Sequence, residues 1–226
     1  MPNYRAVINK VDASRTELTL LMNSVASFFD HHPMLKRSQP PVVHSVKARF
    51  KSTERLKDKI RRKSTTDPIT SENVFERVTD LVGVRVLHLH QAQFPTIHEA
   101  ILDKINVKKD WVLGEPVKAY TWDPESTSFF QTMGIGSELK DSFYTSVHYL
   151  VRPQTDSHLC CEIQVRTLFE EIWGEIDHML NYPEPTRISS CHEQIRVLAK
   201  LVGAGGRLVD SIVRSSEENS RRRAIQ

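Results

Sequence analysis

Two acidic residues stand beside predicted β-strands, where together they could bind a metal ion. Asp80 directly precedes the β-branched run 82–89, and Glu162 lies in the run 158–165, where polar and apolar residues alternate. The polar face of the second strand carries an acid, an amide and a cation, which are Glu162, Gln164 and Arg166. Two carboxylates on neighbouring strands can hold Mg²⁺ and leave positions open for substrate phosphates. The pattern alone also fits a solvent-facing strand with incidental charges.

A basic cluster has the composition of a phosphate-binding surface. Between positions 47 and 63 there are nine basic residues against two acidic ones, a local charge of +7. The nine are Lys47, Arg49, Lys51, Arg55, Lys57, Lys59, Arg61, Arg62 and Lys63. Arg49 and Lys51 share one face of an extended segment, and a helix predicted over 52–63 aligns a second row. Arginine offers a fork of donors and lysine a point charge, so the two rows suit phosphates. The alternative is a solvated helix whose basic last turn complements its dipole.

A third group combines an aromatic ring with a histidine. Tyr144, Ser146 and His148 alternate onto one face of a predicted strand, where tyrosine can stack a nucleobase and histidine can contact a phosphate. The predicted helix 167–182 carries a polar stripe opposite its apolar one. That stripe is Glu171, Glu175, His178 and Tyr182. It fits a site or a solvated face equally well, whereas Trp173 on the same helix is predicted to be core.

The elements that must position these residues alternate without a regular βαβ repeat. Helical periodicity predicts helices at 14–30, 52–63, around 72–78, from Pro95 to about 105, at 167–182 and at 189–215. Strands are predicted at 42–50, 82–89, 145–151 and 158–165, with 117–122 extended and a loop around Gly134 and Gly136. The charged tail 216–226 is expected to be loose. We therefore predict an α/β (α+β) fold, with one mixed β-sheet flanked by helices.

The composition excludes several classes of protein. The chain has 226 residues, of which 39% are hydrophobic and 26% charged, so disorder, collagen and disulfide scaffolds are excluded. A net charge of +3 does not mark a general nucleic-acid coating protein. The three cysteines are odd in number and lack zinc-site spacing, and neither a signal peptide nor a membrane span is predicted. We therefore expect free thiols, a cytoplasmic location and no membrane partner.

Four segments in order resemble the synthetase domain of the RelA/SpoT-homologue family, the stringent-response alarmone synthetases. Arg49-Phe50-Lys51-Ser52 and the basic helix resemble the family's ATP-binding R-x-K-S stretch, and Asp80 to Arg85 resembles D-L/I-x-G-I/V-R. Tyr144 to His148 resembles Y-R/Q-S-L/I-H, and Glu162 to Thr167 resembles E-I/V-Q-I/V-R-T. The resemblance covers about residues 46–182. It implies a nucleotidyltransferase-like sheet and Mg²⁺-dependent transfer of the ATP β,γ-pyrophosphoryl group to the 3′-hydroxyl of GDP or GTP, giving (p)ppGpp and AMP.

The resemblance also implies roles for individual residues. Arg49 and Arg85 would sandwich the adenine, and Asp80 and Glu162 would bind Mg²⁺. The triphosphate would be held by Lys51, Lys57, Lys59 and Arg62. Glu162 or Gln164 would orient the attacking hydroxyl. The acceptor would be bound by Tyr144, which stacks its base, and by His148, Arg166 and His178. If both carboxylates act only through a metal ion, replacing either by its amide should abolish turnover and leave the fold stable.

The acceptor motif departs from the family pattern. The family has N-G-Y-R/Q-S, whereas this chain reads Ser142-Phe143-Tyr144-Thr145-Ser146 and lacks the glycine that permits special backbone angles. Small members of the family include toxins that pyrophosphorylate the 3′ end of tRNA and enzymes that use adenine nucleotides, so these acceptors are alternatives. A further alternative is a non-catalytic nucleotide- or RNA-binding module, against which the paired carboxylates argue.

The resemblance bears on domain organisation as well. We expect an N-terminal helix and linker at 1–41, the synthetase domain at 42–185, and a C-terminal helix and charged tail at 186–226. No His-Asp dipeptide occurs in the sequence, so the family's alarmone hydrolase activity is not expected. The chain resembles a small stand-alone synthetase or a synthetase fragment of a longer protein. Small members are often homo-oligomers through terminal helices, a role that 14–30 and 189–215 can fill.

Overall fold

The computed structural model describes residues 4–63, 68–182 and 184–225. Its helices are α1 (Tyr4–Ala13), α2 (Arg15–His31), α3 (Pro33–Lys36), α4 (Thr53–Lys63), α5 (Val74–Arg77), α6 (Phe94–Leu102), α7 (Pro124–Gln131), α8 (Leu168–Asn181) and α9 (Ser189–Ile225). Its strands are β1 (Ser45–Phe50), β2 (Val82–His88), β3 (Val112–Leu113), β4 (Lys118–Thr121), β5 (Gly136–Leu139), β6 (Ser146–Arg152) and β7 (Cys161–Thr167). A 3₁₀ turn, Gln91–Gln93, precedes α6, and a π-helical turn, Asp103–Val107, follows it.

The strands form one mixed sheet of seven strands. The order is β1-β2-β7-β6-β4-β5, with β3 paired to the end of β6. β2 and β7 are parallel, as are β4 and β5, and the other pairs are antiparallel. The predicted mixed sheet flanked by helices is therefore confirmed.

The strand register collects the polar residues on one face of the sheet. Residues that pair across neighbouring strands point to the same face. One row runs across β1, β2, β7 and β6 and consists of Lys47, Arg85, Gln164 and His148. The adjacent row aligns Arg49, Gly83 and Glu162. This polar face lies beneath α8, which contacts β7 and β2.

The opposite face of the sheet is apolar and forms the main core. Its buried side chains include Val84, Val86, Ile163 and Val165, which pack with residues of α2 and α6. Burying such a side chain stabilises the fold by about 2 kcal/mol. Tyr149 is also fully buried, and its hydroxyl is 2.7 Å from Nδ1 of His98, so its polar atom keeps a partner.

A second, smaller core joins α8 to α9. Trp173 is buried against Ile195, Ala199 and Val202 of α9, as predicted for a core residue. Its indole Nε1 donates a hydrogen bond of 3.1 Å to the backbone carbonyl oxygen of Ile195. The C-terminal helix is thereby fixed to the helix that covers the polar face of the sheet.

Several elements differ from their prediction. The predicted loose tail is helical as far as Ile225, and its last residue, Gln226, lies outside the described residues. Residues 216–223 are polar or charged and exposed, so they have no apolar stripe by which periodicity could detect a helix. The predicted loop around Gly136 contains β5, which is held by parallel pairing with β4 rather than by its own propensity.

Apolar residues remain exposed on both covering helices. On α8 they are Ile172, Ile176 and Met179, and on α9 they are Val197, Leu201, Leu208 and Ile212. Among the residues that the structure describes, no helix combines the length and apolar character needed to cross a bilayer.

Candidate active site

A cleft of about 350 Å³ opens over the polar face of the sheet, between α4 and α8. Eight of the predicted site residues line it: Arg49, Lys51, Arg62, Arg85, Tyr144, Gln164, Arg166 and His178. Asp80, Glu162 and His148 lie behind this lining and contact Lys51, Gln164 and Tyr144 of it. Lys59 lies behind it too and is bound to Asp80. Lys57 is exposed on α4 and does not line the cleft.

Asp80 is held between two lysines. Its carboxylate oxygens are 2.9 Å from Nζ of Lys51 and 2.6 Å from Nζ of Lys59. Burial alone would raise the pKa of Asp80, but the two ammonium groups outweigh it and lower the pKa to about 2. Burial in turn lowers the pKa of Lys51, against the opposing effect of Asp80. The carboxylate is therefore ionised at neutral pH.

Glu162 begins a chain of hydrogen bonds that ends at Tyr144. Its Oε1 is 3.1 Å from Nδ1 of His148, and Nε2 of that histidine is 2.9 Å from the Tyr144 hydroxyl. If Nδ1 carries the proton, His148 donates to Glu162 and accepts from Tyr144. Gln164 donates from Nε2 to the other carboxylate oxygen at 2.6 Å. Burial raises the pKa of Glu162, but the hydrogen bond and charge of His148 outweigh this, so the net pKa is lowered.

The two carboxylates have donor chemistry that fits a magnesium ion. Asp80 precedes β2, and Glu162 stands near the start of its parallel neighbour β7, opposite Gly83, so both acids lie at the same end of the sheet. Within the described residues no cluster of three or more acidic, histidine or cysteine side chains could enclose a metal. Two ionised carboxylates beside a basic cleft suit an ion that is shared with substrate phosphates.

Glu171 of α8 binds three cations that project from three different strands. Its Oε1 is 2.8 Å from Nζ of Lys47 and 3.2 Å from Nη1 of Arg85, and its Oε2 pairs with Arg166. Burial raises the pKa of Glu171, but Lys47 and the two arginines outweigh burial. The net pKa is lowered, so Glu171 stays ionised. A Cβ on Gly174, one turn along, would lie 2.7 Å from Nη1 of Arg166, so a side chain there would displace the guanidinium that Glu171 holds.

Glu171 was missing from the predicted site. The sequence placed it in a polar stripe that could equally have been solvated. One feature of the sequence could have indicated its role. Glu171 and Glu175 are four residues apart on a helix that directly follows the strand containing Arg166. Arg85 also pairs with Glu175, so α8 holds the arginine at two points. Arg166, predicted to contact the acceptor, lines the cleft but is largely buried, and it is bound to Glu171.

An aromatic wall closes the other side of the cleft. The rings of His178 and Tyr182 stack with centroids 4.6 Å apart, and Cζ of Arg55 is 5.6 Å from the Tyr182 ring centroid. Burial and the charge of Arg55 lower the pKa of His178, which favours its neutral form. Arg55 and Tyr182 line the cleft but were not in the predicted site. The sequence had placed Arg55 in the basic cluster and Tyr182 in the polar stripe.

The ion pairs of Asp80 change the expectation for its amide variant. Asp80→Asn leaves Lys51, whose side chain is only 9% exposed, without its counter-charge. We expect the free energy of unfolding to fall by about 2 kcal/mol, measured by urea denaturation. The double variant Asp80→Asn/Lys51→Met should recover part of the loss. Equal unfolding free energies for the single variant and the wild type would contradict this account.

Known proteins resemble the chain in fold and, over the central region, in sequence. The family described as "Region found in RelA / SpoT proteins" matches residues 48–187. No curated protein sequence matches the chain. Among solved structures, small alarmone synthetase 1 of Bacillus subtilis superposes with a TM-score of 0.68 at 19% identity, covering 93% of this chain and 99% of that chain.

Two further structures of the Bacillus subtilis protein carry nucleotides. The structure described as bound to its product pppGpp has a TM-score of 0.55 at 22% identity and covers 95% of each chain. The structure described as bound to AMPCPP has a TM-score of 0.59 at 18% identity, covering 92% of this chain and 96% of that chain. These likenesses establish the fold. Since the family match spans more than half of the sequence and includes the residues of the cleft, this chain belongs to the RelA/SpoT family and has the fold of the small alarmone synthetases.

Proposed function

We propose that this protein transfers the β,γ-pyrophosphoryl group of ATP to the 3′-hydroxyl of GDP or GTP and releases AMP. The observation that carries the proposal is the arrangement of Asp80 and Glu162, two ionised carboxylates at one end of neighbouring parallel strands, beside a cleft lined by cations. Transfer of this kind needs in-line positioning and charge neutralisation more than covalent help from the protein. Family membership and the nucleotides bound by the similar synthetase support the same reading.

The donor nucleotide would lie on the basic side of the cleft. Lys51 and Arg62 would hold its phosphates, and Arg49 and Arg85 would enclose its adenine. Burial and the neighbouring Arg85 lower the pKa of Arg49, and an adenine ring between the two guanidinium groups would separate their like charges. Lys59 would act on the phosphates only through Asp80, and Lys57 would contribute to the surface field around the cleft.

Asp80 and Glu162 would hold magnesium together with the phosphates of ATP. The ion, when bound, supplies neutralisation of the charge that builds up on the transferred phosphates. Because its pKa is lowered, Glu162 is a carboxylate at neutral pH and can accept a hydrogen bond from the attacking hydroxyl. Gln164, bound to the same carboxylate, would keep its orientation. Tyr144 would stack the acceptor base, and burial raises its pKa, which keeps the hydroxyl protonated.

A second candidate acceptor is the 3′ end of tRNA. Lys57, Arg61 and Lys63 of α4 are exposed and lie outside the cleft lining, so they form a basic surface that could contact a polynucleotide backbone. Free guanine nucleotides have no need of that surface. The non-catalytic binding module and the adenine-nucleotide acceptor remain outcomes of the following test.

The test is product analysis with γ-labelled ATP, Mg²⁺ and, in separate reactions, GDP, GTP, unlabelled ATP and deacylated tRNA. We expect label on the guanine nucleotide and one AMP released for each product, because both phosphates leave ATP together. Glu162→Gln should form neither product nor AMP, whereas the matched control Glu217→Gln, exposed on α9, should behave as the wild type. Transfer of label only to tRNA, or only to the 3′-hydroxyl of an acceptor ATP, would replace the proposed acceptor. Absence of both AMP and product would overturn catalysis altogether.

We also propose that α9 joins two copies of the chain. Its exposed residues Val197, Leu201, Leu208 and Ile212 are arranged symmetrically about Ala204 and Gly205. In an antiparallel pair crossing near the exposed Ala204, Val197 would face Ile212 of the second copy and Leu201 would face Leu208. A self-complementary stripe of this kind is what a two-fold interface requires.

The oligomer is tested by analytical ultracentrifugation. The wild type should sediment as a dimer or a larger assembly, and Leu201→Glu should sediment as a monomer, because a charge at the centre of the stripe would be buried without a partner. Ser220→Glu adds the same charge at an exposed position about two turns beyond Ile212, outside the stripe, and should leave the assembly intact. A monomeric wild type, or an unchanged Leu201→Glu variant, would contradict the interface.

A further inference from the structure

The residue before Tyr144 has an unusual backbone conformation. Phe143 has a φ of 63°, in the left-handed region that glycine adopts freely and a residue with a Cβ adopts at a cost. Lys109 is the other non-glycine residue with positive φ in the described part of the chain. This chain therefore has phenylalanine where the family pattern has glycine, but Phe143 still adopts a backbone angle that glycine permits. Some interaction of the phenylalanine side chain must offset the cost.

That interaction is the packing of the Phe143 ring against α9 and against Trp122, the residue after β4. The ring centroid is 5.1 Å from that of Trp122, which follows β4, and 5.6 Å from Cζ of Arg196 on α9. The ring also packs against the small core that contains Trp173 and Ile195. A hydrogen bond of 3.2 Å from the Phe143 backbone N–H to the carbonyl oxygen of Lys140 closes the turn. Apolar burial and the cation above the ring favour this one docked position.

Phe143 and Tyr144 point into different cavities. Phe143 lines a cavity of about 630 Å³ between the 139–143 loop and α9, whereas Tyr144 lines the catalytic cleft. The two cavities share Asp177 and Asn181 of α8 in their linings. The dipeptide thus forms part of the wall between them, and both rings pack against the small core that contains Trp173.

We propose that Phe143 is a positioning residue for the acceptor: by docking on α9 it fixes Tyr144 in the cleft, where the tyrosine hydroxyl meets His148 and, through it, Glu162. The inference rests on the proposed function, because it takes Tyr144 as the ring that stacks the acceptor base. In this arrangement, the C-terminal helix contributes to acceptor binding without touching the acceptor. The donor side of the cleft, built from β1 and α4, has no part in the docking.

The proposal is tested with two variants that separate the ring from the backbone angle. Phe143→Gly removes the ring and relaxes the angle, and Phe143→Ala removes the ring and keeps the strain. Both should raise KM for the acceptor by about tenfold and leave the Kd for AMPCPP, measured by calorimetry, unchanged. Trp122→Ala should raise the same KM, and its effect should not add to that of Phe143→Gly, because both remove one contact. Phe143→Leu, which keeps an apolar side chain, should retain most of the acceptor affinity that Phe143→Gly and Phe143→Ala lose.

Hydrogen–deuterium exchange supplies a readout that needs no turnover. Amides of residues 140–146 should exchange faster in Phe143→Gly than in the wild type, while those of β2 and β7 keep their protection. Unchanged exchange together with an unchanged acceptor KM would overturn the proposal, as would an equal loss of AMPCPP affinity. If the wild type forms no product with any acceptor, the proposed function fails, and the exchange data still decide whether Phe143 orders the loop.

Discussion

Charge compensation beneath the cleft is the constraint on which the rest of the structure depends. Lys47, Arg85 and Arg166 reach the polar face of the sheet from β1, β2 and β7, and all three meet the carboxylate of Glu171. Lys47 stays largely in water, but Arg85 and Arg166 do not, and removing a cation from water without a partner costs several kcal/mol. The helix α8 must therefore lie where Glu171 can meet these two arginines. Once α8 is fixed, its other residues form a wall of the cleft, and α9 packs on it.

The two carboxylates of the site differ in what holds them. Asp80 lies between two ammonium groups, whereas Glu162 accepts hydrogen bonds from His148 and Gln164. A phosphate chain that arrives in the cleft can take over Lys51, which frees one oxygen of Asp80 for a metal ion. Glu162 is held by His148 and Gln164 rather than by a lysine, and the histidine links it to Tyr144. Under the proposed function, the donor half of the site would therefore be rearranged by charge, and the acceptor half would be held by hydrogen bonds.

Much of this arrangement was predictable because it depends on short-range periodicity. The two-residue repeat of β7 placed Glu162 and Gln164 on the face opposite Ile163, and the helical repeat placed Arg55 and Arg62 together. Sequence could not decide whether Glu171 is solvated or buried, because that depends on how α8 crosses the sheet. Nor could it show that Phe143 would take the backbone angle of a glycine, since the compensating contacts come from Trp122 and Arg196, distant along the chain.

The central claim is that the cleft between α4 and α8 binds the donor nucleotide and its metal ion. A crystal structure of the protein with AMPCPP and Mg²⁺ tests it most directly. The account predicts the phosphates on Lys51 and Arg62, the adenine between Arg49 and Arg85, and the ion on Asp80 and Glu162. A nucleotide bound instead in the cavity between the 139–143 loop and α9, with Asp80 still paired to both lysines, would contradict it.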